Sequence, residues 1–388
     1  MDVTLTQVPL RGNAVAAVHE WSTAGAPTRG TAVFLHATGF SARCWDSVVE
    51  KLQGNGCLSN VPGPRCLGID LRGHGRSSKP WPPTDVRDPW GDAAADVAEV
   101  LQRLAITDAV LVGHSAGGWI AASVAIGEKE AAVRSLQRTG IHLGSAVGGM
   151  VLLDPVIQPA ESYAEAAALT PDEVQAHNTQ RYGGIEKRFN GFESPKAMQE
   201  RFTGKGPYAD WVSSCLEDYC EHGLLTLAEL IELAVHVDYN GNPIFGEEAG
   251  ADPQLLMAAV EALVGADRDL YDPAMVLACP PSFERAWYEG SRSAGIGGAL
   301  LTELQKFTAP TFVIRSSMTG TNPDGTVNFR GSPTDEHLAE RFGGEATDEI
   351  AEGRSHFIPM EDPGFVAQRV MEMVERVAGG GETPQPKL

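Results

Sequence analysis

The sequence predicts an α/β protein with a mostly parallel, doubly wound sheet and an inserted helical lid. Short apolar segments alternate with segments of helical periodicity over residues 31–156, and the alternation returns after residue 309. A strand followed by a helix and another strand is typical of a parallel sheet. Residues 158–302 instead show helical patterns interrupted by glycine and proline. We therefore expect a core formed by residues 1–157 and 303–388, with residues 158–302 as a lid.

The core elements follow one another in a regular order. The predicted strands are TAVFLHA (31–37), GPRCLGIDLRGHG (63–75, ending in a glycine-rich turn), AVLVG (109–113), VGGMVLLDPV (147–156), APTFVIRSS (309–317) and a last one around ATDEIAEG (346–353). The predicted core helices are CWDSVVEKLQ (44–53), DAAADVAEVLQRLA (92–105), GGWIAASVAIG (117–127) and PGFVAQRVMEMVERVA (363–378). The lid has helical patterns in SPKAMQERF (194–202), ADWVSSCLEDYCEHGLL (209–225) and DPQLLMAAVEALV (252–264), and no clear strand is predicted there.

Composition narrows the classes of protein to which the chain can belong. Its 388 residues, 43% of them hydrophobic, suffice for one domain with a large insertion or for two domains. The formal charge of −21 gives a surface that repels nucleic acid and anionic lipid headgroups, so no nucleic-acid partner is expected. The first residues lack the basic start and apolar core of a signal peptide, and no apolar run reaches about eighteen residues. We expect a cytoplasmic protein without an integral membrane segment.

The cysteines show neither a CxxC pair nor a His/Cys cluster at the spacing of a zinc site. Because such clusters are the usual ligands of zinc in proteins, no metal is expected. The thiols are instead expected to be small side chains that are buried or half-buried. They are Cys44, Cys57, Cys66, Cys215, Cys220 and Cys279.

Ser115 lies at the centre of GHSAG (113–117), which fits the pattern G-x-S-x-G between a predicted strand and a predicted helix. Small residues flank the serine because the chain turns so sharply that larger side chains would collide with neighbouring strands. The turn exposes the serine hydroxyl above the sheet, and the backbone N–H of Ala116 points toward an oxyanion formed on a substrate. Ser115 is therefore the predicted nucleophile, and Ala116 is a predicted oxyanion donor.

A serine hydroxyl becomes a good nucleophile when a histidine held by a carboxylate takes its proton. His356, in GRSHFIPMEDP, follows the last predicted strand, so it lies on a loop at the same edge of the sheet as Ser115. His356 is therefore the predicted base. His36 is expected to shape the oxyanion loop, His74 lies in the RGHG turn, and His114 is expected to face sideways. Four further histidines are expected in helices or loops far from the site, although one of them, His222, could line the lid; they are His142, His177, His222 and His337.

Four motifs occur in the order that the α/β-hydrolase family shows. They are HATGF (36–40), DLRGHGRS (70–77), GHSAGG (113–118) and SHF (355–357), and on them the chain resembles this family over both ends of the core. The resemblance implies the α/β-hydrolase fold. HATGF stands where the family carries its oxyanion loop, so the resemblance also implies Thr38 as the second backbone donor beside Ala116, with Ala37 and Gly39 as alternatives.

The position of the triad acid in this sequence departs from the usual pattern of the family. That pattern places the carboxylate after the strand corresponding to TFVIRSS, but residues 316–319 of this chain include no acid. Asp324 follows in NPDGT, which is typical of a separate tight turn. The other position known in the family is one strand earlier, where Asp154 ends MVLLDPV and needs a partner because an unpaired buried charge is costly. Asp154 is the predicted acid. The alternative positions of the acid are Asp324 and a site not identified from the sequence. In those cases Asp154 would be only a helix or turn cap at the lid entrance.

Within the family, the chain resembles fungal peroxisomal hydrolases, a group that includes the yeast peroxisomal lipase and the acyl-CoA hydrolase of mycophenolic acid biosynthesis. The likeness lies in chain length, in HATGF, and in lid segments such as YCEHGL (219–224) and CPPSFERAWYEG (279–290). The chain also ends in Pro386-Lys387-Leu388, a near relative of the Ser-Lys-Leu peroxisomal address. Two readings of this tripeptide stay open: a chance match in a cytoplasmic protein, and recognition by the peroxisomal import receptor.

The predicted residues imply transfer of an acyl group to water without a cofactor. An acyl-enzyme on serine requires an ester, a thioester, a lactone or an activated amide, so the expected partner is a small acyl substrate of an esterase, lipase or thioesterase. Two alternatives from other classes remain open. One is a carbon–carbon bond hydrolase or cofactor-free haloperoxidase that uses the same triad, and the other is a ligand receptor that has kept the fold and lost turnover.

The lid is expected to set the substrate. Its apolar and aromatic side chains line an acyl pocket or form the core of the lid itself; they are Phe202, Tyr208, Trp211, Leu224, Leu225, Phe283, Trp287 and Tyr288. An acidic protein is not an obvious binder of coenzyme A phosphates. A thioesterase would therefore gather basic lid residues at the mouth of the site, where the alternative is a solvated helix face; the candidates are Lys187, Arg188, Arg201 and Lys205.

Overall fold

The computed structural model describes residues 1–11, 14–22, 30–54, 63–79, 88–127, 146–234, 275–290, 296–320 and 328–379. Within these ranges the strands are β1 (Val3–Pro9), β2 (Val15–Trp21), β3 (Thr31–Leu35), β4 (Arg65–Ile69), β5 (Ala109–His114), β6 (Val147–Leu153), β7 (Gly191–Phe192), β8 (Leu224–Leu225), β9 (Met275–Leu277), β10 (Thr311–Ser316) and β11 (Ala346–Ala351). The α-helices are α1 (Asp46–Gly54), α2 (Pro89–Arg103), α3 (Ala116–Ile126), α4 (Ala160–Ala167), α5 (Pro171–Tyr182), α6 (Pro195–Phe202), α7 (Ser213–His222), α8 (Leu227–Ala234), α9 (Pro281–Gly290), α10 (Ile296–Glu303), α11 (Ile358–Glu361) and α12 (Pro363–Ala378).

Eight of the strands form one sheet, in the order β1-β2-β4-β3-β5-β6-β10-β11. Every neighbouring pair from β4 to β11 is parallel, whereas β2 pairs antiparallel with both β1 and β4. The mostly parallel, doubly wound sheet predicted from the sequence is therefore confirmed. From β3 the chain adds β4 on one side and β5 on the other, and the carboxyl ends of strands beside such a reversal are the usual place for a binding crevice.

The hairpin of β1 and β2 extends the sheet beyond the predicted strands. Most side chains of β1 are exposed, because this strand lies at the edge, whereas most of those of β2 are buried. The β2 sequence VAAVHEW contains adjacent alanines, and alanine is not a residue that favours strands. Its extended conformation depends on pairing with β4, a contact between distant parts of the chain that local sequence does not announce.

Helices cover both faces of the main sheet. In β3, Val33 and Leu35 join a buried cluster with α2 and α3, whereas Phe34 joins a second cluster with α1 and α12. Successive side chains of a strand point to opposite faces, so the two clusters lie on opposite sides of the sheet. All of β5 is buried, as expected of a parallel strand that is covered on both sides.

The segment between β6 and β10 contains a small antiparallel sheet of order β7-β9-β8. The prediction that this part of the chain has no strand was therefore wrong. Strands of two or three residues are too short to show an alternating pattern, so they form only because their partners are brought to them. The helix predicted at 252–264 lies outside the described residues. The predicted core–lid boundary falls near the end of α10, where Leu300 and Leu301 belong to the cluster around α2 and α3.

The cysteines within the described ranges are buried free thiols, as expected; they are Cys44, Cys66, Cys215, Cys220 and Cys279, and Cys57 lies outside those ranges. Burial raises the pKa of Cys66, Cys215 and Cys220 to about 12. Among the helices that the structure describes, none has the length and apolar character needed to cross a membrane.

Candidate active site

Ser115 occupies a sharp turn between β5 and α3. Its backbone has φ 56° and ψ −117°, in a region that residues other than glycine rarely adopt. The turn is fixed by hydrogen bonds from Ser115 N to Leu153 O (3.0 Å) and from Gly118 N to Ser115 O (3.0 Å). A Cβ on Gly117 would lie 2.2 Å from Leu35 O, so this position requires glycine. The small residues that the sequence shows around Ser115 are therefore needed for the turn.

The three predicted triad residues form one continuous chain of hydrogen bonds. Ser115 Oγ lies 3.0 Å from His356 Nε2, and His356 Nδ1 lies 2.7 Å from Asp154 Oδ2. In this arrangement Nδ1–H donates to the carboxylate and Nε2 accepts from the serine hydroxyl. Asp154 is fully buried, whereas 13% of the His356 side chain is exposed, so the site opens to solvent beside the imidazole.

Asp154 follows β6 in a left-handed conformation, with φ 46°. Its Oδ1 accepts hydrogen bonds from Ser316 N (3.2 Å), from Thr334 Oγ1 (3.3 Å) and from the Ser332 hydroxyl. Ser316 ends β10, where the family usually carries its acid, and here its backbone supports the carboxylate from the neighbouring strand instead. The alternative acid, Asp324, lies outside the described residues.

His114, next to the predicted nucleophile Ser115, makes a contact that sequence reasoning missed. Its Nε2 donates to the backbone O of His356 (2.8 Å), so it faces the histidine loop, and not merely sideways as predicted. Burial and the neighbouring His356 lower the pKa of His114 to about 3, and the ring is therefore neutral. A second contact, from His356 N to Arg330 O (2.7 Å), holds the same backbone. The only sequence signal for this contact was that His114 directly precedes Ser115.

The oxyanion loop follows β3. Thr38 is 7% exposed, and Phe40 N donates to Ala37 O (3.2 Å) across the turn. Gly39, one of the predicted alternative donors, has φ +85°. On the other side, Ala116 is the first residue of α3, and the first N–H groups of a helix have no partner within that helix.

A buried network joins the oxyanion loop to the DLRGHGRS turn. His36 Nε2 accepts from Leu71 N (3.0 Å), and its Nδ1 donates to Ala37 O (2.8 Å). Burial lowers the pKa of His36, which favours the neutral ring that can accept this bond. Asp70 accepts from His19 Nε2 (2.9 Å) and from Ala42 N (2.7 Å). His36 therefore shapes the loop, as its position in the sequence predicted.

The other histidines have separate surroundings. The His74 ring lies against Trp287, with 4.7 Å between ring centroids, and His222 Nε2 lies 3.6 Å from an Asp46 oxygen. His337 is exposed beside acidic side chains, and His177 belongs to α5. His142 lies outside the described residues.

The lid side chains predicted to line an acyl pocket or to form the lid core lie in several different places, and Tyr219, which was not predicted, joins them. Trp211 and Tyr219 pack with Phe40 and Phe357 in a group that we call the aromatic cluster, and Phe357 lies 5.7 Å from His356 between ring centroids. Tyr208 and Phe202 stack on each other, and Tyr208 also contacts Trp211 of this cluster.

The other predicted lining residues lie away from this cluster. Phe283 and Trp287 belong to other buried clusters, while Tyr288 stacks on Tyr182. Leu224 and Leu225 are completely buried in the small sheet.

Two of the four predicted basic lid residues have partners within the lid. Arg188 Nη1 lies 2.5 Å from both carboxylate oxygens of Glu284, and the Arg201 guanidinium lies 4.4 Å from the centre of the Phe189 ring. Lys187 and Lys205 are exposed. The positive charge of Arg188 is thus used inside the lid, which reduces what remains for a coenzyme A phosphate.

An eight-stranded, mostly parallel sheet with a serine on a sharp strand-to-helix turn defines the α/β-hydrolase class of fold. A model of the Alpha/beta hydrolase family matches residues 32–369, and the chain belongs to this family.

Among curated proteins, the chain is similar to the AB hydrolase superfamily protein YisY of Bacillus subtilis (strain 168). The identity is 33% over 121 residues, which are 31% of this chain and 36% of that protein. The matched part thus spans about a third of the relative.

Solved structures extend the likeness over nearly the whole chain. The peroxisomal alpha-beta-hydrolase Lpx1 of Saccharomyces cerevisiae has a TM-score of 0.57 at 15% identity, over 97% of this chain and 86% of that chain. A thioesterase domain from the curacin biosynthetic pathway has a TM-score of 0.60 at 13% identity, over 95% of this chain and 99% of that chain. At these identities the likeness shows the fold.

Proposed function

We propose that the protein hydrolyses carboxylic esters or acyl thioesters through an acyl-enzyme on Ser115. The observation that carries the proposal is the unbroken hydrogen-bond chain from Ser115 Oγ through His356 to Asp154, with distances of 3.0 and 2.7 Å. Nucleophile, base and orienting acid are thereby within direct proton-transfer reach before any substrate binds.

In the first half of the reaction, Ser115 Oγ attacks the carbonyl carbon of the substrate while its proton passes to His356 Nε2. Asp154 stabilises the imidazolium that forms through the bond to Nδ1. The backbone N–H groups of Ala116 and Thr38 hold the negative charge that develops on the carbonyl oxygen. The leaving alcohol or thiol takes the proton from Nε2, and the acyl group remains on the serine.

In the second half, water takes the place of the leaving group. His356 accepts a proton from the water, whose oxygen attacks the acyl carbon, and the same two N–H groups hold the second oxyanion. Collapse of this intermediate returns the proton to Ser115 and releases the carboxylic acid. No step requires a group beyond the side chains and backbone named here.

The surroundings of the histidine support an apolar acyl group. The aromatic cluster lies directly beside His356, and two of its members, Trp211 and Tyr219, come from the lid. Burying an aliphatic or aromatic substrate group against these rings is favourable by about 25 cal/mol for each Å² removed from water. The lid is therefore proposed to select the acyl chain, while the core supplies the chemistry.

The first test compares a chain-length series of p-nitrophenyl esters with matched acyl-CoA thioesters. We expect Ser115→Ala to lose turnover by at least about 10⁴-fold, because removal of the nucleophile disables the whole triad. Ser123→Ala removes a buried serine hydroxyl from the same helix and should leave turnover near that of the wild type. A fluorophosphonate probe should label the wild type at Ser115 and leave Ser115→Ala unlabelled.

The two series also separate the alternatives. Faster turnover of the CoA series at equal chain length would identify a thioesterase, and the reverse would identify an esterase. If the folded wild type cleaves neither series, the carbon–carbon hydrolase or receptor alternatives take precedence. Turnover that survives in Ser115→Ala would contradict the proposed nucleophile.

We also propose that Pro386-Lys387-Leu388 directs the protein to peroxisomes through the import receptor. These residues lie outside the described part of the chain, and the sequence alone carries this proposal. A fluorescent fusion that ends in Pro386-Lys387-Leu388 should mark peroxisomes in yeast, and removal of the tripeptide should leave it in the cytoplasm. An even distribution of both fusions would refute the proposal.

A further inference from the structure

A lid carboxylate lies against the backbone of the oxyanion loop at one residue, Gly39. The carboxyl carbon and Oε1 of Glu284 each lie 3.2 Å from the position that a Cβ on Gly39 would take. Gly39 has φ +85° and directly follows Thr38, the proposed oxyanion donor. The lid therefore packs against the loop at the residue that follows this donor.

Glu284 is held in this place by a second lid segment. It lies on α9 with only 7% of its side chain exposed, and Arg188, which precedes β7, reaches it with Nη1 at 2.5 Å from both carboxylate oxygens. Burial raises the pKa of Glu284, and the charge and hydrogen bond of Arg188 partly offset that effect. The Arg188 side chain is 34% exposed, so the pair joins the lid surface to the buried loop.

The charge of this pair matters because negative charge develops on the substrate oxygen during the reaction. An unpaired carboxylate beside the loop would oppose that charge, since Coulomb interactions are strong where water is excluded. Paired with Arg188, the carboxylate contributes no net charge and still provides a rigid wall against Gly39. A buried ion pair that gains no stability can nevertheless fix a conformation.

We infer that Glu284, held by Arg188, is a positioning residue that orients the oxyanion loop and so couples the packing of the lid to the rate of acyl transfer. This inference rests on the proposed function, because it requires an oxyanion at Thr38 and Ala116. The pair acts through the backbone of Gly39 and does not touch the reacting atoms.

The test first measures kcat and KM for a short p-nitrophenyl ester in two variants of Glu284. Glu284→Ala removes the wall, and we expect kcat to fall roughly 10- to 100-fold with KM within about threefold, since a misplaced oxyanion donor loses part of its usual 10²- to 10³-fold effect. Glu284→Gln keeps the shape and should retain kcat within about threefold. A boronic acid that mimics the tetrahedral oxyanion should lose affinity in Glu284→Ala by the same factor as kcat, whereas the product acid should not.

The Arg188→Met variant adds a pH signature. In this variant the Glu284 carboxylate has lost its cation. Activity relative to the wild type should therefore fall as pH rises, because Glu284 ionises and its negative charge opposes the oxyanion. The other titratable groups that face Glu284 are Cys279, Tyr208, Tyr219 and Tyr288, and burial raises the pKa of each of them above its ordinary value. These groups therefore remain neutral between pH 5 and 8. The double variant with Glu284→Gln should lose the slope.

The matched control is the Arg285–Glu289 pair on the same helix α9, with 2.7 Å between Nε and Oε1. Glu289→Ala should leave kcat, KM and boronate affinity near those of the wild type. If Glu284→Ala changes only KM or the melting temperature, the pair is a structural support of the lid and the inference is wrong. If the wild type cleaves no ester, the proposed function fails and the inference fails with it, which is a distinct result.

Discussion

Two buried carboxylates, one in the core and one in the lid, are held in different ways. Asp154 accepts hydrogen bonds from a backbone N–H and two hydroxyls besides its bond to His356. The bonds found for Glu284 in the described part of the chain come from the guanidinium of Arg188 alone. The donors to Asp154 are mostly neutral and belong to β10 and the segment that follows it, whereas Glu284 depends on one cation from another lid segment.

The difference shows how each region tolerates change. Hydrogen bonds from several neutral donors share the cost of burying a charge, so the loss of one donor leaves the others in place. A carboxylate with a single counter-ion becomes an uncompensated charge when that ion is removed. We therefore expect the catalytic chemistry to be robust against small changes around it, and the lid to be the part through which substrate preference diverges.

The largest expected effect is the loss of kcat when Asp154, the carboxylate of the core, is changed to asparagine. Asp154→Asn should lower kcat by about 10⁴-fold at pH 7, because an amide cannot hold His356 in the tautomer that accepts the serine proton. Steady-state kinetics on the preferred ester measures the loss. Asp335→Asn, a buried aspartate paired with Arg341 at 2.8 Å, is the control and should cost far less activity. A mild effect in Asp154→Asn together with a severe one in Asp324→Asn would overturn the assignment of the acid.

The second prediction tests whether the hydrogen-bond donors around Asp154 stabilise its buried charge jointly. Ser332→Ala and Thr334→Val each remove one hydroxyl from Oδ1, and each should lower kcat by roughly 3- to 10-fold with little change in KM. The double variant should lose more than the product of the two single effects, since only Ser316 N then remains on that oxygen. If each single variant instead lost about 10³-fold in kcat, Asp154 would depend on every one of its donors, as Glu284 depends on Arg188.

Much of the core could be predicted because its signals are local. Ser115 lies in a pattern that only a sharp turn explains, and His356 lies on a loop whose place follows from the strand before it. Asp154 followed from an apolar strand that ends in a charge. The central parallel strands β3, β5 and β6 were readable since they are largely continuous apolar runs, whereas β2 contains adjacent alanines and depends on β4 for its conformation.

The remaining features depend on contacts between distant residues. His114 and His356 are 242 residues apart, and Arg188 and Glu284 are 96 residues apart. No periodicity or motif links such partners in a single sequence. Strands of two residues, such as β7 and β8, also lack any pattern of their own. Lid features of this kind follow from the packing of the folded chain, and sequence reasoning therefore predicted the residues that meet at Ser115 but not the contacts within the lid.

A half-buried carboxylate of the lid gives a further comparison, with the smallest expected effect. Asp218, on lid helix α7, accepts from Ser47 Oγ (2.6 Å) and Ser47 N (3.1 Å) of core helix α1. Like Asp154 it has neutral donors. Burial nevertheless raises the pKa of Asp218 to about 6, because the donors from Ser47 offset only part of that cost and Asp46 adds to it.

The sign of the pH dependence follows from this raised pKa. Below pH 3.8 the carboxyl is protonated in both folded and unfolded chains, and between pH 3.8 and about 6 only the folded chain keeps the proton. Stability is therefore lost as pH rises through this window, by about 2–3 kcal/mol at most. Asp218→Asn keeps an acceptor for Ser47 and removes the titration, so its melting temperature should exceed that of the wild type by a few degrees at pH 8 and match it near pH 4. The exposed neighbour Glu217, changed to Gln, should show no such trend. A variant less stable than the wild type at pH 8 would mean that the Asp218 charge, and not only its shape, joins the lid to α1.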